Sequence, residues 1–379
     1  MKILIAPDSF KETMTSLQAA SAMEAGVRTV FPDAEVENLP VADGGEGTVD
    51  ALVQGQNGRI VKKSVIGPLG DKVNAVYGIL PGGVGVIEMA SASGLGLVPL
   101  DKRNPLVTTT RGTGELILDA VEKGCREIII GIGGSATNDG GTGMARALGY
   151  RFLDASGSEL AEGGGSLSHL DSIDTSKVTA ELASVTFRVA CDVKNPLYGP
   201  DGASAVYGPQ KGAASEDVTL LDENLRRLSM VVKRDMGLAI DDVPGTGAAG
   251  GLGFGLMAFC GAELKSGIEI ILDLVDFDDH LEGVDLVITG EGRIDGQSIY
   301  GKVPVGIAGR AKKRDIPVLV LVGGIGKGVD AVYDYGIDAV MGSVNNAMSL
   351  EEAMERSREL LVDAASRAMR MIKIGMMLK

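Results

Sequence analysis

Short apolar runs alternate along the chain with stretches in which apolar residues recur every three or four positions. The run 2–6 stops at Pro7-Asp8-Ser9 and reads as a strand. Leu17, Ala20, Met23, Val27 and Val30/Phe31 then fall at helical spacing, with Thr15 or Ser16 as N-cap. A second strand is predicted at 35–40 and a helix from about Gly47-Thr48. The last third repeats the rhythm: 284–289, 318–322 and 339–341 are strand-like, and 302–314 is helical between the first two. In the final helix Leu360, Leu361, Ala364, Ala365, Ala368 and Met369 share one face. Strand–helix alternation implies parallel strands joined by right-handed crossovers. Two strands from the start and three from the end would complete a five-stranded doubly wound α/β sheet.

The middle follows another pattern. Residues 59–98 hold short strand-like pieces broken at Gly67-Pro68 and Pro81-Gly82-Gly83, more antiparallel than parallel in character. A helix at 114–123, a strand at 127–132, a polar loop at 156–176, a strand at 187–190 and a helix at 215–236 follow. The expected organisation is one domain from both termini (1–64 and 282–379) with an inserted α/β (α+β) domain (65–281). A cleft between them would suit a small ligand.

Composition narrows the function. The 379 residues carry 51 Asp+Glu against 36 Lys+Arg, a net charge of −15. An acidic chain is a poor match for a nucleic-acid backbone. No apolar run approaches the roughly 20 residues of a membrane span, and the opening run is too short for a signal peptide. A cytoplasmic protein is expected. Cys125, Cys191 and Cys260 lack metal-ligand spacing, and His169 and His280 are the only histidines, so histidine chemistry has little to build on. Glycine is abundant, 55 residues, about double the usual share of roughly 7%.

Glycines and acids gather just after predicted strands: 7–11, 42–48, 131–141, 191–195 and 290–295. Each such loop is also ordinary turn chemistry, but ligands of open parallel sheets sit at the carboxyl edge of the strands, so all five together suggest one site. Glycine turns that expose N–H groups before a helix suit phosphate. The carboxylates of Asp8, Asp43, Glu46, Asp139, Asp192, Glu291 and Asp295 suit Mg²⁺ or a base for a hydroxyl proton. Lys11, Lys194, Lys211, Arg293 and Lys302 supply local positive charge. Together they describe nucleotide-dependent phosphoryl transfer.

Three patterns point elsewhere. The segment 296–302 fits Gly-x4-Gly-Lys, but Val303 stands where a P-loop has Ser or Thr, and no strand leads directly into it. Lys302 is still placed to meet a phosphate. Gly245-x-Gly247-x-x-Gly250 follows Pro244 and not a strand, and reads as the mobile or tightly packed start of a helix at 250–262. Gly131-x-Gly133-x-x-Ala136 does follow a strand, with Asp154 about 20 residues on. An NAD-linked hydroxy-acid dehydrogenase is therefore the alternative, although Asn138-Asp139 would intrude on a pyrophosphate.

The motifs at 6–11 (APDSFK), 42–48 (ADGGEGT), 131–141 (GIGGSATNDGG), 208–213 (GPQKGA) and 288–292 (ITGEG) resemble those of the bacterial glycerate kinase family, essentially end to end. The resemblance implies a flavodoxin-like domain plus a smaller α/β domain, and ATP-dependent phosphorylation of D-glycerate, with 2-phospho-D-glycerate as the usual product and 3-phosphoglycerate as the alternative. On that footing glycerate is expected on Asp8, Ser9, Lys11, Glu291 and Arg293. Asp192 or Asp43 is the candidate base, with Lys11 beside them in the chemistry. Asp8, Glu46 or Asp295 would help place Mg²⁺, and Gly133, Gly134, Ser135, Asn138, Asp139 and Lys211 would meet the ATP phosphates. A homodimer is compatible with this sequence, which carries no sign of oligomeric state.

Overall fold

The structure is a computed structural model that describes every residue except Asp43, Glu46, Tyr300 and Lys379. The opening apolar run becomes the strand Lys2–Ile5, with Ile3, Leu4 and Ile5 fully buried. The helix Ser16–Val30 starts at Thr15, whose hydroxyl accepts from the Gln18 N–H while the Gln18 side chain accepts from the Thr15 N–H. That reciprocal capping box satisfies two N–H groups that a helix start otherwise leaves bare.

The chain divides into two units, Met1–Asp43 with Asp50–Gln56 and Gly267–Lys379, and Gly44–Val49 with Asn57–Ser266. These bounds differ from those expected from sequence. The strand Arg59–Ile66 pairs along its length with Lys72–Leu80 in the second unit's sheet. The helices Gly267–Leu274 and Phe277–His280 belong to the first unit, where Arg310 of the helix Val303–Lys312 ties Glu269, Asp273 and Asp278 together.

In the first unit five parallel strands form one sheet, with Ala339–Gly342, Val318–Ile325, Leu286–Ile294, Lys2–Ile5 and Glu35–Asn38 side by side. Numbered along the chain within the unit, the order is 2-1-3-4-5. It reverses between Lys2–Ile5 and Leu286–Ile294, and such a reversal opens a crevice at the carboxyl edge. The strand Leu286–Ile294 runs well past the expected stop at 289. Glu291, Arg293 and Ile294 keep their register against Val322, Gly324 and Ile325, so the segment taken for a loop is strand. Gly290 allows this close approach, since a Cβ there would lie 2.0 Å from the Leu321 carbonyl oxygen. The helix Ser16–Val30 packs on the C-terminal helix Ser357–Met377, and a Cβ on Gly26 would meet Ala365 Cβ at 2.5 Å. The shorter helix Leu350–Glu355 precedes that helix and is separated from it by Arg356.

In the second unit six strands form a mixed sheet. Arg59–Ile66, Lys72–Leu80 and Val84–Glu88 make the antiparallel meander read from sequence, and Val84–Glu88, Glu127–Gly131, Thr186–Ala190 and Glu263–Lys265 run parallel. The strand that ends before Asp154 is Arg151–Leu153, whereas its partner Ser172–Asp174 and the edge strand Glu263–Lys265 give no signal in the sequence. Each is three residues long, too short to show a period.

Candidate active site

Four of the first unit's five strands end in residues that line one cavity of about 470 Å³. From Lys2–Ile5 comes the loop Asp8–Thr13; from Leu286–Ile294 come Glu291, Gly292 and Arg293. Gly323 and Gly324 close Val318–Ile325, and Ser343 and Val344 follow Ala339–Gly342. The helix Leu350–Glu355 contributes Leu350, Ala353 and Met354. The cavity is therefore built on strand ends, which hold side chains more rigidly than free loops do.

The loop after the first strand is pinned at both ends. Asp8 donates its N–H to the Gly290 carbonyl (2.8 Å), and the Ser16 hydroxyl donates to the Pro7 carbonyl (3.0 Å). Phe10 and Met14 exchange backbone hydrogen bonds of 2.9 Å in each direction, closing a tight turn with Glu12 in the left-handed region at φ 66°. Asp8 is buried, and its Oδ1 accepts from the Ser9 N–H at 2.6 Å. Lys11 is exposed at the rim.

Across the switch point Glu291 is buried, and its two oxygens face Lys302 Nζ at 3.0 Å and the Ser298 hydroxyl at 3.3 Å. Lys302 also donates to the Arg293 carbonyl (3.2 Å) and stands at the N-cap of the helix Val303–Lys312. Arg293 reaches outward, its side chain 71% exposed. Asp295 lies outside the lining. It accepts from the Gln297 N–H (3.0 Å) and pairs loosely with Arg293 (3.7 Å), which shapes the turn 295–298. The first-unit residues expected from sequence thus separate: Asp8, Ser9, Lys11, Glu291 and Arg293 share the cavity, and Asp295 supports it from behind.

The second unit holds the other expected group. Gly133 and Gly134 are exposed at the turn after Glu127–Gly131, with Gly134 at φ 72°. Ser135 behind them accepts from Lys211 Nζ at 2.7 Å, and Lys211 also donates to the Thr137 carbonyl at 2.7 Å. Burial pulls the Lys211 ammonium down to about 7, against an upward pull from Asp139. Asn138 and Asp139 turn inward and are fully buried. Asn138 donates to the Ser204 hydroxyl at 2.9 Å. Asp139 accepts from the Thr110 N–H (2.9 Å) and hydroxyl (2.8 Å) and from the Gly141 and Gly143 N–H groups (3.1 Å each). Burial pushes its carboxyl up from the ordinary range, and those four donors oppose the shift. Their geometry makes Asp139 the anchor of the turn and of the following helix Thr142–Ala147, while Gly133 and Gly134 form its outer surface and Ser135 lies buried beneath them.

Asp192 is exposed after Thr186–Ala190 and accepts from the Ser266 hydroxyl at 2.8 Å. Asp43 and Glu46 lie outside the described residues. Among the described residues no group of three or more His, Cys, Asp or Glu side chains could hold a metal ion by itself. Mg²⁺ rarely needs such a group, because one or two carboxylates suffice when substrate phosphates and water complete its shell. Asp8 and Glu291 in one cavity fit that requirement.

Sequence reasoning missed the apolar part of the lining. Val344, Leu350 and Met354 carry no motif, and Leu350 with Met354 reads as the ordinary face of an amphipathic helix. The signal was available only in hindsight, as a strand end followed by a short helix at the same sheet edge.

Comparison with known proteins gives consistent results. The model of the glycerate kinase family matches residues 3–373. The glycerate kinase of Bacillus subtilis (strain 168) is 53% identical over 376 residues, covering 99% of this chain and 98% of its own. The glycerate 2-kinase of Escherichia coli (strain K12) is 52% identical over 377 residues, covering 99% of each. A crystal structure of a provisionally assigned glycerate kinase 2 from Salmonella typhimurium LT2 superposes with a TM-score of 0.92 at 49% identity, covering 100% of this chain and 99% of that one.

Proposed function

The chain belongs to the glycerate kinase family, and from that premise we propose that it transfers the terminal phosphoryl group of ATP to the 2-hydroxyl of D-glycerate. Family membership displaces the hydroxy-acid dehydrogenase alternative. The 2-1-3-4-5 strand order supports a flavodoxin-like reading of the first unit. The acid excess supports a small-molecule enzyme without a nucleic-acid partner. No helix among the described residues is long and apolar enough to cross a membrane, and we place the enzyme in the cytoplasm.

The observation that carries the proposal is the strand-end cavity of the first unit, where Asp8 and Glu291 share a wall with Lys11, Arg293 and Lys302. Phosphoryl transfer asks little covalent chemistry of a protein and much positioning of charge. Lys11, Arg293 and Lys302 hold anionic groups in place and oppose charge that builds on the transferred phosphoryl. Magnesium, arriving with the nucleotide, would neutralise phosphate oxygens, with Asp8 and Glu291 as the described carboxylates suited to hold it. The base proposed for the glycerate hydroxyl is Asp192, an exposed carboxylate oriented by Ser266. The Gly133–Ser135 turn, backed by Lys211, is proposed as a second anion site.

The test is ADP formation from ATP with D-glycerate and Mg²⁺ both present and each omitted in turn, with ³¹P NMR of the product. A signal of 2-phospho-D-glycerate that requires all three supports the proposal. A 3-phosphate product replaces the regiochemistry, and ADP release indifferent to glycerate rejects the kinase reading.

A further inference from the structure

The lining of the first unit's cavity changes chemistry along the sheet. Charged groups stand at the ends of Lys2–Ile5 and Leu286–Ile294, whereas Val344, Leu350 and Met354 stand at the far edge beyond Ala339–Gly342. Two and three strand spacings separate these ends, about 10 to 14 Å at roughly 4.8 Å per strand. A three-carbon acid cannot bridge that span, and a nucleoside triphosphate can. Leu350 is 77% exposed and Val344 42% exposed, so large apolar side chains are left uncovered at that edge of the cavity. Glycerate has no use for them.

The floor between the two ends gives an independent indication. Gly292 and Gly324 both sit in strands, where glycine costs stability because it has no side chain to pack. Neither is required by the protein itself. A Cβ on Gly324 would meet nothing within 4 Å, and one on Gly292 would find its nearest neighbour at 3.7 Å. Neither backbone is in the left-handed region. Bare backbone at these points keeps open a path running from the apolar edge to Arg293 and Lys302, and strand glycine without a packing reason marks close approach by a ligand.

We propose that this cavity is the adenine-nucleotide site, with the base against Val344, Leu350 and Met354, the ribose over Gly324, and the phosphates directed along Gly292 to Arg293, Lys302 and Lys11. The inference rests on the kinase reading and reverses the division of labour expected from the motifs, which assigned Lys11, Ser9 and Arg293 to glycerate and the 133–135 turn to the nucleotide. Glycerate then falls to other groups of the chain.

Calorimetric titration with ADP, and separately with inorganic tripolyphosphate, tests the site in the full-length wild type, Leu350→Asp and Gly324→Val. Leu350 is largely exposed and a Cβ on Gly324 would meet nothing within 4 Å, and circular dichroism checks the fold. At least a tenfold loss of ADP affinity in both variants, with tripolyphosphate affinity kept in Leu350→Asp and the glycerate KM within twofold of wild type, supports the proposal. Unchanged ADP affinity in folded Leu350→Asp overturns it, as does a raised glycerate KM with the ATP KM constant. Failure of the kinase reading looks different: the wild type would bind ADP, lose it on Leu350→Asp, and yet turn over no glycerate.

Discussion

Lys302 Nζ lies 3.0 Å from Oε2 of Glu291, joining the start of one helix to the carboxyl end of the strand that precedes it. The carboxylate is buried and the lysine about a third exposed, so the pair is partly screened and its value lies between surface and interior limits. Lys302 is also the N-cap residue of Val303–Lys312, so the pair ties the start of that helix to the cavity lining.

If that pair positions the site, Lys302→Met and Glu291→Gln will not act independently. Urea melts of both single variants and the double should give a coupling of at least about 0.5 kcal/mol, the lower edge for residues in contact. Lys302→Met should also lower kcat/KM by more than tenfold, because it removes a cation from the cavity and leaves a buried carboxylate without its ammonium. Additive stabilities and wild-type turnover would mean that the contact is incidental.

Replacing Asp192 by Asn keeps the shape and the hydrogen bond from Ser266 but removes the proposed proton acceptor. General-base catalysis is typically worth about 10² to 10⁴ in rate, so Asp192→Asn should lose kcat on that scale with the ATP KM unchanged. Ser266→Ala, which removes one contact to that carboxylate, should lose much less. A drop of less than tenfold in the Asn variant would assign the proton to another group.

The stretch Ala249-Gly250-Gly251 is left-handed at three successive residues, φ 54°, 69° and 84°. A Cβ on Gly250 would lie 1.9 Å from the Thr137 carbonyl oxygen, the oxygen that accepts from Lys211. Of the two sequence readings of 245–250, mobile or tightly packed, the structure selects the second. Gly250→Ala should therefore cost at least about 2 kcal/mol through overpacking and backbone strain, measured by chemical denaturation. A loss below 0.5 kcal/mol would show that the Thr137 turn yields easily.

What could be read from the sequence was local. Thr15 announced its cap, and the apolar runs announced the five parallel strands. Asp8, Lys11 and Glu291 stood out because acids and glycines follow those strands. What could not be read depends on distant partners. Asp139 looks like a loop acid, but its burial is set by Thr110, 29 residues away. The continuation of strand through Gly290–Ile294 depends on Leu321–Ile325 as neighbour, and glycine-rich sequence argues locally against it. Leu350 and Val344 become notable only when the sheet edge brings them to one cavity.

Lys211 makes its contribution visible through pH. Its ammonium is fully buried against Ser135 and the Thr137 carbonyl, and burial pulls its pKa to about 7 from an ordinary 10.5. Between those values the unfolded chain binds a proton that the folded one does not, so stability rises with pH across the window, by at most about 1.4 kcal/mol per unit. Below pH 7 both states are protonated and the slope from this group vanishes. Lys211→Met removes the titration altogether. Urea melts at pH 7, 8 and 9 should then show the wild type gaining on the variant at each step, the difference growing while other groups cancel in the comparison. Parallel curves would mean that the ammonium keeps its proton inside the fold, stabilised by Asp139 and the two oxygens more than burial costs it. In the first case the turn at Gly133–Ser135 would bind anions more strongly toward acidic pH, and phosphate titrations at pH 6 and pH 8.5 should weaken accordingly in the wild type and stay level in Lys211→Met.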